Sequence, residues 1–152
     1  MIIRKAKTED AEEISKLRIS TIKAFPQDND TPEEMDFVIK RNTPESIAEK
    51  IKTRDIFNMI EKGKIIGNIE LHGDQLNNLY VDKDRLKQGI GKKLLLFIED
   101  YAKKKGITYL HFRSTPSAIL FYKKFGYKIV KIEKKTQNGI EMTHTIMQKE
   151  LI

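Results

Sequence analysis

Cysteine is missing from this chain of 152 residues, so disulfides, thiolate metal sites and cysteine nucleophiles are excluded together. Long hydrophobic runs are missing as well, and none approaches the roughly 18 residues that a membrane-spanning helix needs. No linker, repeat or low-complexity tract interrupts the sequence, which predicts one domain over residues 1–152. The first residues lack the long apolar segment of a signal peptide, and we expect a cytoplasmic protein with no membrane partner.

Motifs of several common enzyme classes are also missing. The sequence has no Gly-x-Ser-x-Gly segment of the hydrolase type. The three histidines lie far apart and lack metal-ligand spacing, so no metal is expected: His72, His111 and His144. The Gly-x-Gly sequence at Gly89 and Gly91 is not a dinucleotide fingerprint, because Leu94 replaces the third glycine. It is not a P-loop either, because Gly91-Lys92 is followed by Lys93.

Charge is distributed unevenly along the chain, which has a net charge of +7. Residues 1–86 contain 15 basic and 17 acidic side chains, whereas residues 87–152 contain 14 and 5, a net of +9. This excess indicates an anionic partner, with nucleic acid and a phosphorylated small molecule as candidates. A lysine-rich solvated surface explains the same numbers, since 23 of the 29 basic residues are lysine.

Hydrophobic periodicity predicts the order of the elements. Residues 2–6 are expected to form a strand, after which Thr8 can cap a helix, and Thr31 and Thr43 begin two more helical segments. The segment that begins at Thr31 is expected to bury Met35, Val38 and Ile39. The later elements are strands over 56–60, 64–71 and 76–81, a helix over 90–105, a strand over 107–113, a short helix capped by Thr115, and a hairpin over 127–134 and 140–151.

The unit from residue 76 to 113 predicts a parallel strand–helix–strand crossover, whereas the other connections suit antiparallel pairing. We therefore expect the α/β (α+β) class, with a single mixed, mostly antiparallel twisted sheet of about seven strands flanked by helices.

The segment Leu79–Leu95 ends a strand and opens through a glycine-bearing loop directly into a helix. Free N–H groups at a helix N-terminus, together with the helix dipole, favour phosphate binding. Gly89 and Gly91 let a ligand approach the backbone. Three lysines add positive charge at the same end: Lys87, Lys92 and Lys93. This motif alone is equally consistent with an ordinary loop-to-helix turn.

A second segment, from Thr115 to Tyr127, is a short helix that runs into a strand. Together the two segments resemble the GNAT superfamily of N-acetyltransferases. The phosphate loop of that family, Arg/Gln-x-x-Gly-x-Gly/Ala after a strand ending in valine, is similar to Gln88-Gly89-Ile90-Gly91 after Val81. The second family segment, Asn-x-x-Ala-x-x-Phe-Tyr-x-x-x-Gly-Phe/Tyr, is matched by Ala118, Phe121, Tyr122, Gly126 and Tyr127. Leu86 stands where the family usually has Arg or Gln, and Thr115 where it often has Asn.

The resemblance implies acetyl-CoA as donor, a primary amine as acceptor, and no metal. It implies that these residues bind the cofactor: Leu79, Tyr80, Val81, Lys87, Gln88, Gly89, Ile90, Gly91, Lys92, Thr115 and Ser117. Direct attack by the amine in a ternary complex is favoured, because no cysteine is available for an acyl-enzyme. The position of Tyr122 in the family motif implies a general acid for the departing thiolate, although a packed aromatic is the alternative.

A general base is harder to assign. Glu70 is a carboxylate in an otherwise apolar strand, with His72 and Asp74 just beyond it. Any of these could act through water, and the alternative is that Glu70 simply faces solvent. His111 alternates with Leu110 and is expected on a sheet face.

The acceptor is not identified by the sequence. The helices that in this family form one wall of the acceptor site are acidic here, which favours a cationic small molecule or a peptide or protein amine. The acidic residues are Asp28, Asp30, Glu33, Glu34, Asp36, Glu45 and Glu49. A non-catalytic acyl-CoA-binding regulatory module is the alternative function. A nucleic-acid binder is disfavoured because the aromatics near Tyr122 have helical spacing, and a homodimer is one expectation for the assembly.

Overall fold

Seven strands are present: β1 (Ile2–Lys5), β2 (Asp55–Glu61), β3 (Lys64–His72), β4 (Gln75–Val81), β5 (Tyr109–Ser114), β6 (Lys128–Gln137) and β7 (Ile140–Glu150). They form one mixed sheet in the order β1-β2-β3-β4-β5-β7-β6, which confirms the expected fold class. β4 and β5 are parallel, and all other neighbouring strands are antiparallel. The structure is a computed structural model that describes residues 1–152.

Five helices flank the sheet: α1 (Ala11–Ala24), α2 (Pro32–Lys40), α3 (Pro44–Thr53), α4 (Ile90–Lys104) and α5 (Ile119–Lys124). Thr31 and Thr43 cap α2 and α3 as expected, since their hydroxyl oxygens accept the N–H groups of Glu34 and Ser46 at 3.1 and 3.3 Å. None of the helices is long and apolar enough to span a lipid bilayer.

The expected cap at Thr8 was wrong. Thr8 begins a 3₁₀ turn, and the carboxylate of Asp10 accepts the Lys7 N–H at 2.7 Å instead. Arg4 on β1 holds that carboxylate with two hydrogen bonds of 2.7 and 3.0 Å. A charged acceptor fixed by an arginine binds an amide N–H better than a hydroxyl does, so the acidic residue starts this turn.

The two faces of the sheet carry separate apolar layers. α1 and α3 cover one face, where Ile14, Ile47 and Ile56 are enclosed. α4 covers the other, where Leu94 and Ile98 pack against the strands. Burying side chains of this size contributes about 1.5–3 kcal/mol each relative to exposure. α5 and the start of β6 join the α4 layer, which also contains Tyr122 and Tyr127.

Pairing between β4 and β5 stops almost where it begins. Gln75 and His111 form the only paired register, and the two strands then diverge. The crossover through α4 was predicted from the sequence, but the divergence was not. It leaves one long edge of β4 without a neighbouring strand, in the middle of the sheet.

Candidate functional site

A cavity of about 1040 Å³ lies where β4 and β5 diverge. Eleven of the thirteen residues singled out from the sequence line it: Leu79, Tyr80, Val81, Lys87, Gly89, Ile90, Gly91, Lys92, Thr115, Ser117 and Tyr122. Gln88 and Glu70 do not line it. The two sequence segments are therefore brought to one site, as the motifs predict.

The backbone of β4 presents free groups to this cavity. The Asp82 N–H donates to the Ile66 carbonyl at 2.9 Å, and hydrogen bonding in an antiparallel ladder alternates along each strand. Tyr80 therefore directs its N–H and C=O toward β3, whereas Leu79 and Val81 direct theirs toward the gap beside β5. On that side the Val81 carbonyl accepts the Thr21 hydroxyl at 3.4 Å. The open edge suits an extended ligand arm at Leu79 and Val81, while Tyr80 can contribute only its side chain.

The loop before α4 has the conformation that the glycines predict. Gly89 is the N-cap residue with a φ of 79°, and it has no side chain with which to accept a helix N–H. The first main-chain bond of α4 runs from the Lys93 N–H to the Gly89 carbonyl, so the preceding amides have no partner in the helix. Lys87 also adopts a positive φ, of 61°, which is uncommon for a residue with a side chain. These amides form an anion site at a helix N-terminus.

Gly91 has a second role that the sequence does not reveal. A Cβ atom at this position would lie 3.2 Å from Cζ of Phe121 on α5, tighter than ordinary van der Waals contact. The absence of a side chain therefore lets α5 pack directly against the first turn of α4. This contact holds the segment that bears Tyr122 next to the phosphate loop.

Leu86, which replaces the usual Arg or Gln, is 43% exposed at the rim of the cavity. Its neighbour Arg85 is held in place by Glu61 at 2.6 Å and by Gln88 at 2.8 Å. The Gln88 side chain is thus bonded to Arg85 within the loop, and it does not line the cavity.

Tyr122 is buried on α5 with its ring 4.3 Å from that of Phe112, centroid to centroid. The hydroxyls of Tyr80 and Tyr127 donate to Asn78 and Glu99, whereas that of Tyr122 has no partner within the protein. Burial raises the pKa of Tyr122 well above its ordinary value, so the phenol keeps its proton at neutral pH. A protonated hydroxyl in the cavity wall is available to a ligand.

The N-terminus of the α5 segment is capped from across the cavity. Asp28, in the turn between α1 and α2, accepts the Ser117 N–H at 2.8 Å and the Ser117 hydroxyl at 2.6 Å. Thr115 occupies the N-cap position without a side-chain capping bond, so the expectation that Thr115 caps this helix was wrong. The Thr115 side chain is left free beside the cavity, whereas both donors of Ser117 are already used.

Glu70 does not face solvent, and that alternative was wrong. It is fully buried and binds Arg18 and Arg54 through different carboxylate oxygens. Asn77 donates a further hydrogen bond to it at 3.1 Å. Burial alone would raise the pKa of Glu70, but the two arginines outweigh it and lower the pKa to about 2. Such a carboxylate is ionised but weakly basic, and it does not reach the cavity.

His144 is the titratable group that sequence reasoning missed. It is buried on β7, lines the cavity, and lies 3.1 Å from Arg113 Nη1 through its Nε2 atom. Burial and the charge of Arg113 lower the pKa of His144, so its imidazole is neutral at pH 7. The only available signal was its alternation with Met142 along the strand, which indicates an inward-facing position. His111, as expected, lies on the sheet face, bonded to Asp74 at 2.9 Å.

We call the part of the cavity lined by Arg41, Lys50, Arg54, Arg113 and His144 the acceptor end. Met35, Val38 and Ile39 on α2 are only partly buried, so their expected burial is incomplete. Of the three, Val38 lines the cavity.

Of the seven acidic residues expected near the acceptor, only Asp28 and Glu34 line the cavity. Asp28 is bonded to Ser117, and Glu34 accepts the Asp30 N–H at 2.5 Å. Both acidic residues that line the cavity are thus already bonded to other groups of the protein. The structure contains no cluster of three or more His, Asp or Glu side chains placed to hold a metal ion.

Comparison with known proteins identifies the family. A family model described as an acetyltransferase (GNAT) domain matches residues 11–151. No curated protein is significantly similar in sequence. A solved structure described as a GCN5-related N-acetyltransferase and class-II aminotransferase from Rhodopseudomonas palustris has a TM-score of 0.90 at 22% identity, covering 99% of this chain and 95% of that one.

Two solved structures contain the coenzyme. The PaiA N-acetyltransferase from Thermoplasma acidophilum in complex with coenzyme A has a TM-score of 0.80 at 24% identity, covering 98% of both chains. YncA from Salmonella typhimurium with its cofactor acetyl-CoA has a TM-score of 0.69 at 18% identity, covering 100% of this chain and 94% of that one. At these identities the structures show a common fold, while the family model spans nearly the whole sequence. The chain belongs to the GNAT acetyltransferase family.

Proposed function

We propose that this protein is an N-acetyltransferase that transfers the acetyl group of acetyl-CoA to an amine by direct attack in a ternary complex. The observation that carries the proposal is the single cavity at the β4–β5 divergence. It joins the free amides of α4 to the Tyr122 hydroxyl and to the polar acceptor end. Two substrates bound in one cavity can react without a covalent enzyme intermediate, and the chain has no cysteine to form one.

The residues fit coenzyme A. The unpaired amides at the start of α4, with Lys87 and Lys92, provide an anion site for the pyrophosphate. The N–H and C=O of Leu79 and the N–H of Val81 can pair with the amides of the pantetheine arm, as a strand would. Coenzyme A and acetyl-CoA in structures of the same fold support this placement. When bound, acetyl-CoA supplies an acyl thioester.

The protein's own groups would then move two protons. A protonated amine must lose a proton before it attacks, and the neutral imidazole of His144 can accept that proton through a water molecule. An N–H on the open edge of β4 can donate a hydrogen bond to the acyl oxygen. Tyr122 can give its phenolic proton to the departing thiolate sulfur and regain one from solvent. The base proposed here is therefore His144 in place of Glu70.

Initial-rate kinetics with thiol detection test the proposal. Purified protein is assayed with acetyl-CoA and a panel of primary amines, varying both substrates. Direct attack predicts intersecting double-reciprocal lines, whereas an acyl-enzyme predicts parallel lines. Calorimetric titration with coenzyme A is run alongside. Coenzyme binding with no thiol release for any amine would instead favour the non-catalytic binding module.

A further inference from the structure

The acceptor end has two arginines, Arg41 and Arg113, that line the cavity without a carboxylate partner. Arg41 follows α2, with its guanidinium 5.6 Å from the centre of the Phe37 ring, and Arg113 lies on β5. Both line the cavity, and neither forms an ion pair. The contacts of Arg113 Nη1 are to the ring nitrogens of His144, at 3.1 and 3.4 Å. Partial burial and the nearby charge of Arg41 lower the pKa of Arg113.

Other charges at this end increase the positive excess. Lys50 donates to the Arg41 carbonyl at 2.7 Å, and burial lowers the pKa of Lys50 to about 8, with Arg41 and Arg54 contributing. The carboxylates near this end are already bonded to other groups. Glu70 is bound by Arg18 and Arg54, and Asp28 and Glu34 accept hydrogen bonds from Ser117 and from the Asp30 N–H. Glu133 pairs with Lys131 and Lys135, and Asp30 accepts the Thr143 N–H. Arg41 and Arg113 therefore have no carboxylate partner within the protein.

The phosphates of a bound coenzyme would lie too far away to serve this cluster. His111 pairs with Gln75, so Arg113, two residues further along the parallel strand, is level with Asn77. The phosphate loop begins after Val81, four residues beyond Asn77, which corresponds to roughly 13 Å along a strand. Arg113, and Arg41 whose charge acts on it, are therefore available to the other substrate.

We propose that the acceptor is an amine that also carries a carboxylate, and that Arg41 and Arg113 bind this carboxylate. The inference rests on the proposed function, because it names the substrate class of the same site. A guanidinium group matches a carboxylate through paired hydrogen bonds, and two guanidinium groups in one cavity can both bind it. A cationic acceptor would instead meet like charge from the arginines and Lys50.

Matched acceptors test the proposal. A set of amino acids and short peptides is assayed with saturating acetyl-CoA, each as the free acid and as the C-terminal amide. The amide keeps the reacting amine and removes only the negative charge. We expect kcat/KM to be roughly ten- to a hundredfold higher for the acids than for the amides. In Arg41→Gln and Arg113→Gln this ratio should fall to within threefold of unity, with the KM for acetyl-CoA unchanged.

Lys40→Gln is the matched control, because Lys40 is exposed next to Arg41 and does not line the cavity. The ratio of kcat/KM for the acids to kcat/KM for the amides should be the same in this variant as in the unmodified protein. A second measurement does not depend on turnover: calorimetric binding of an N-acetyl amino acid and of its amide to the protein–coenzyme A complex. Equal or better use of amides, or equal binding of the two products, would overturn the carboxylate site and leave the transferase proposal standing. Failure to bind coenzyme A would overturn the proposed function itself.

Discussion

Arg18 on α1 and Glu70 on β3 form an ion pair of 3.0 Å in which both side chains are fully buried. The Nε and Nη1 atoms of Arg18 donate to Asn68 and Asn42 at 2.8 and 3.1 Å. Nη2, which pairs with Glu70, also donates to Asn68 at 2.6 Å, so all three guanidinium nitrogens are hydrogen-bonded. This network joins α1 to the sheet beneath the acceptor end. A buried pair of this kind fixes positions, because removing either partner leaves an uncompensated charge.

Glu70→Gln should therefore destabilise the fold by about 3 kcal/mol, measured by urea unfolding. The pH dependence should follow the lowered pKa of Glu70. The contribution of the carboxylate is complete above its ordinary value of 4.5 and is lost as the pH falls toward about 2. Glu49→Gln, at an exposed position of α3, is the control and should change stability by less than about 0.5 kcal/mol. A stable Glu70→Gln protein with low turnover would return Glu70 to the role of base.

Lys92→Glu should change stability and binding in opposite directions. A carboxylate in the first turn of α4 interacts favourably with the helix dipole and should add about 0.3–1 kcal/mol in the absence of ligand. Coenzyme A affinity should fall at least tenfold, because the residue lines the cavity. Lys93→Glu is the matched control, because Lys93 is also exposed but does not line the cavity. This variant should keep most of the affinity for coenzyme A. Thermal unfolding and calorimetry measure both quantities, and equal losses in the two variants would contradict the site.

Tyr122→Phe should lower kcat by roughly ten- to a thousandfold and leave the KM for acetyl-CoA nearly unchanged. The ring remains and the hydroxyl has no partner in the protein, so stability should not change. Tyr127→Phe is the contrasting variant. It removes a 2.8 Å hydrogen bond to the buried Glu99 and should destabilise the fold by about 1–3 kcal/mol with turnover retained. If Tyr122→Phe keeps full turnover under conditions where chemistry is rate-limiting, Tyr122 is a packing residue.

His144→Asn should lower kcat/KM and remove the acidic limb of the pH profile of kcat/KM. The pKa of His144 is lowered below 6.5, so the unmodified protein should lose activity only as the pH falls below that value. The charged groups that act on the imidazole are Arg113, Glu133, Lys135 and Asp30. His111→Asn is the control, because His111 does not line the cavity. An unchanged acidic limb in His144→Asn would exclude this base.

Much of the fold could be predicted from local patterns. Strands β2 and β3 are short runs rich in apolar residues, and their interiors are buried continuously. The turns at Lys62-Gly63 and Asn138-Gly139 require positive φ angles, which all four residues adopt. The glycine loop and α4 were predicted for the same reason, since the dihedral preference and the helix period are encoded within a few residues. The boundaries of the strands and of α4 differ by one or two residues from those expected, except that β6 ends at Gln137, three residues later.

The acceptor end could not be predicted, because its geometry depends on contacts between distant residues. The Asp28–Ser117 contact spans 89 positions, and nothing in the sequence near either residue indicates it. The acidic α2 segment suggested a cationic ligand, yet Glu34 is directed to a neighbouring N–H and Arg41 to the cavity. The net charge of a segment does not indicate which of its side chains are directed toward the cavity.

The divergence of β4 and β5 also has a mechanical consequence. Only one pair of residues joins β4 to β5, so β1–β4 and β5–β7 form two smaller sheets that meet at one end. The α4 helix connects them along the chain. A ligand that hydrogen-bonds along the free edge of β4 joins the two sheets, so its binding free energy makes them unfold together. Hydrogen exchange should then slow in both sheets together when coenzyme A is added, and the ligand-free protein should open along this seam before it unfolds globally.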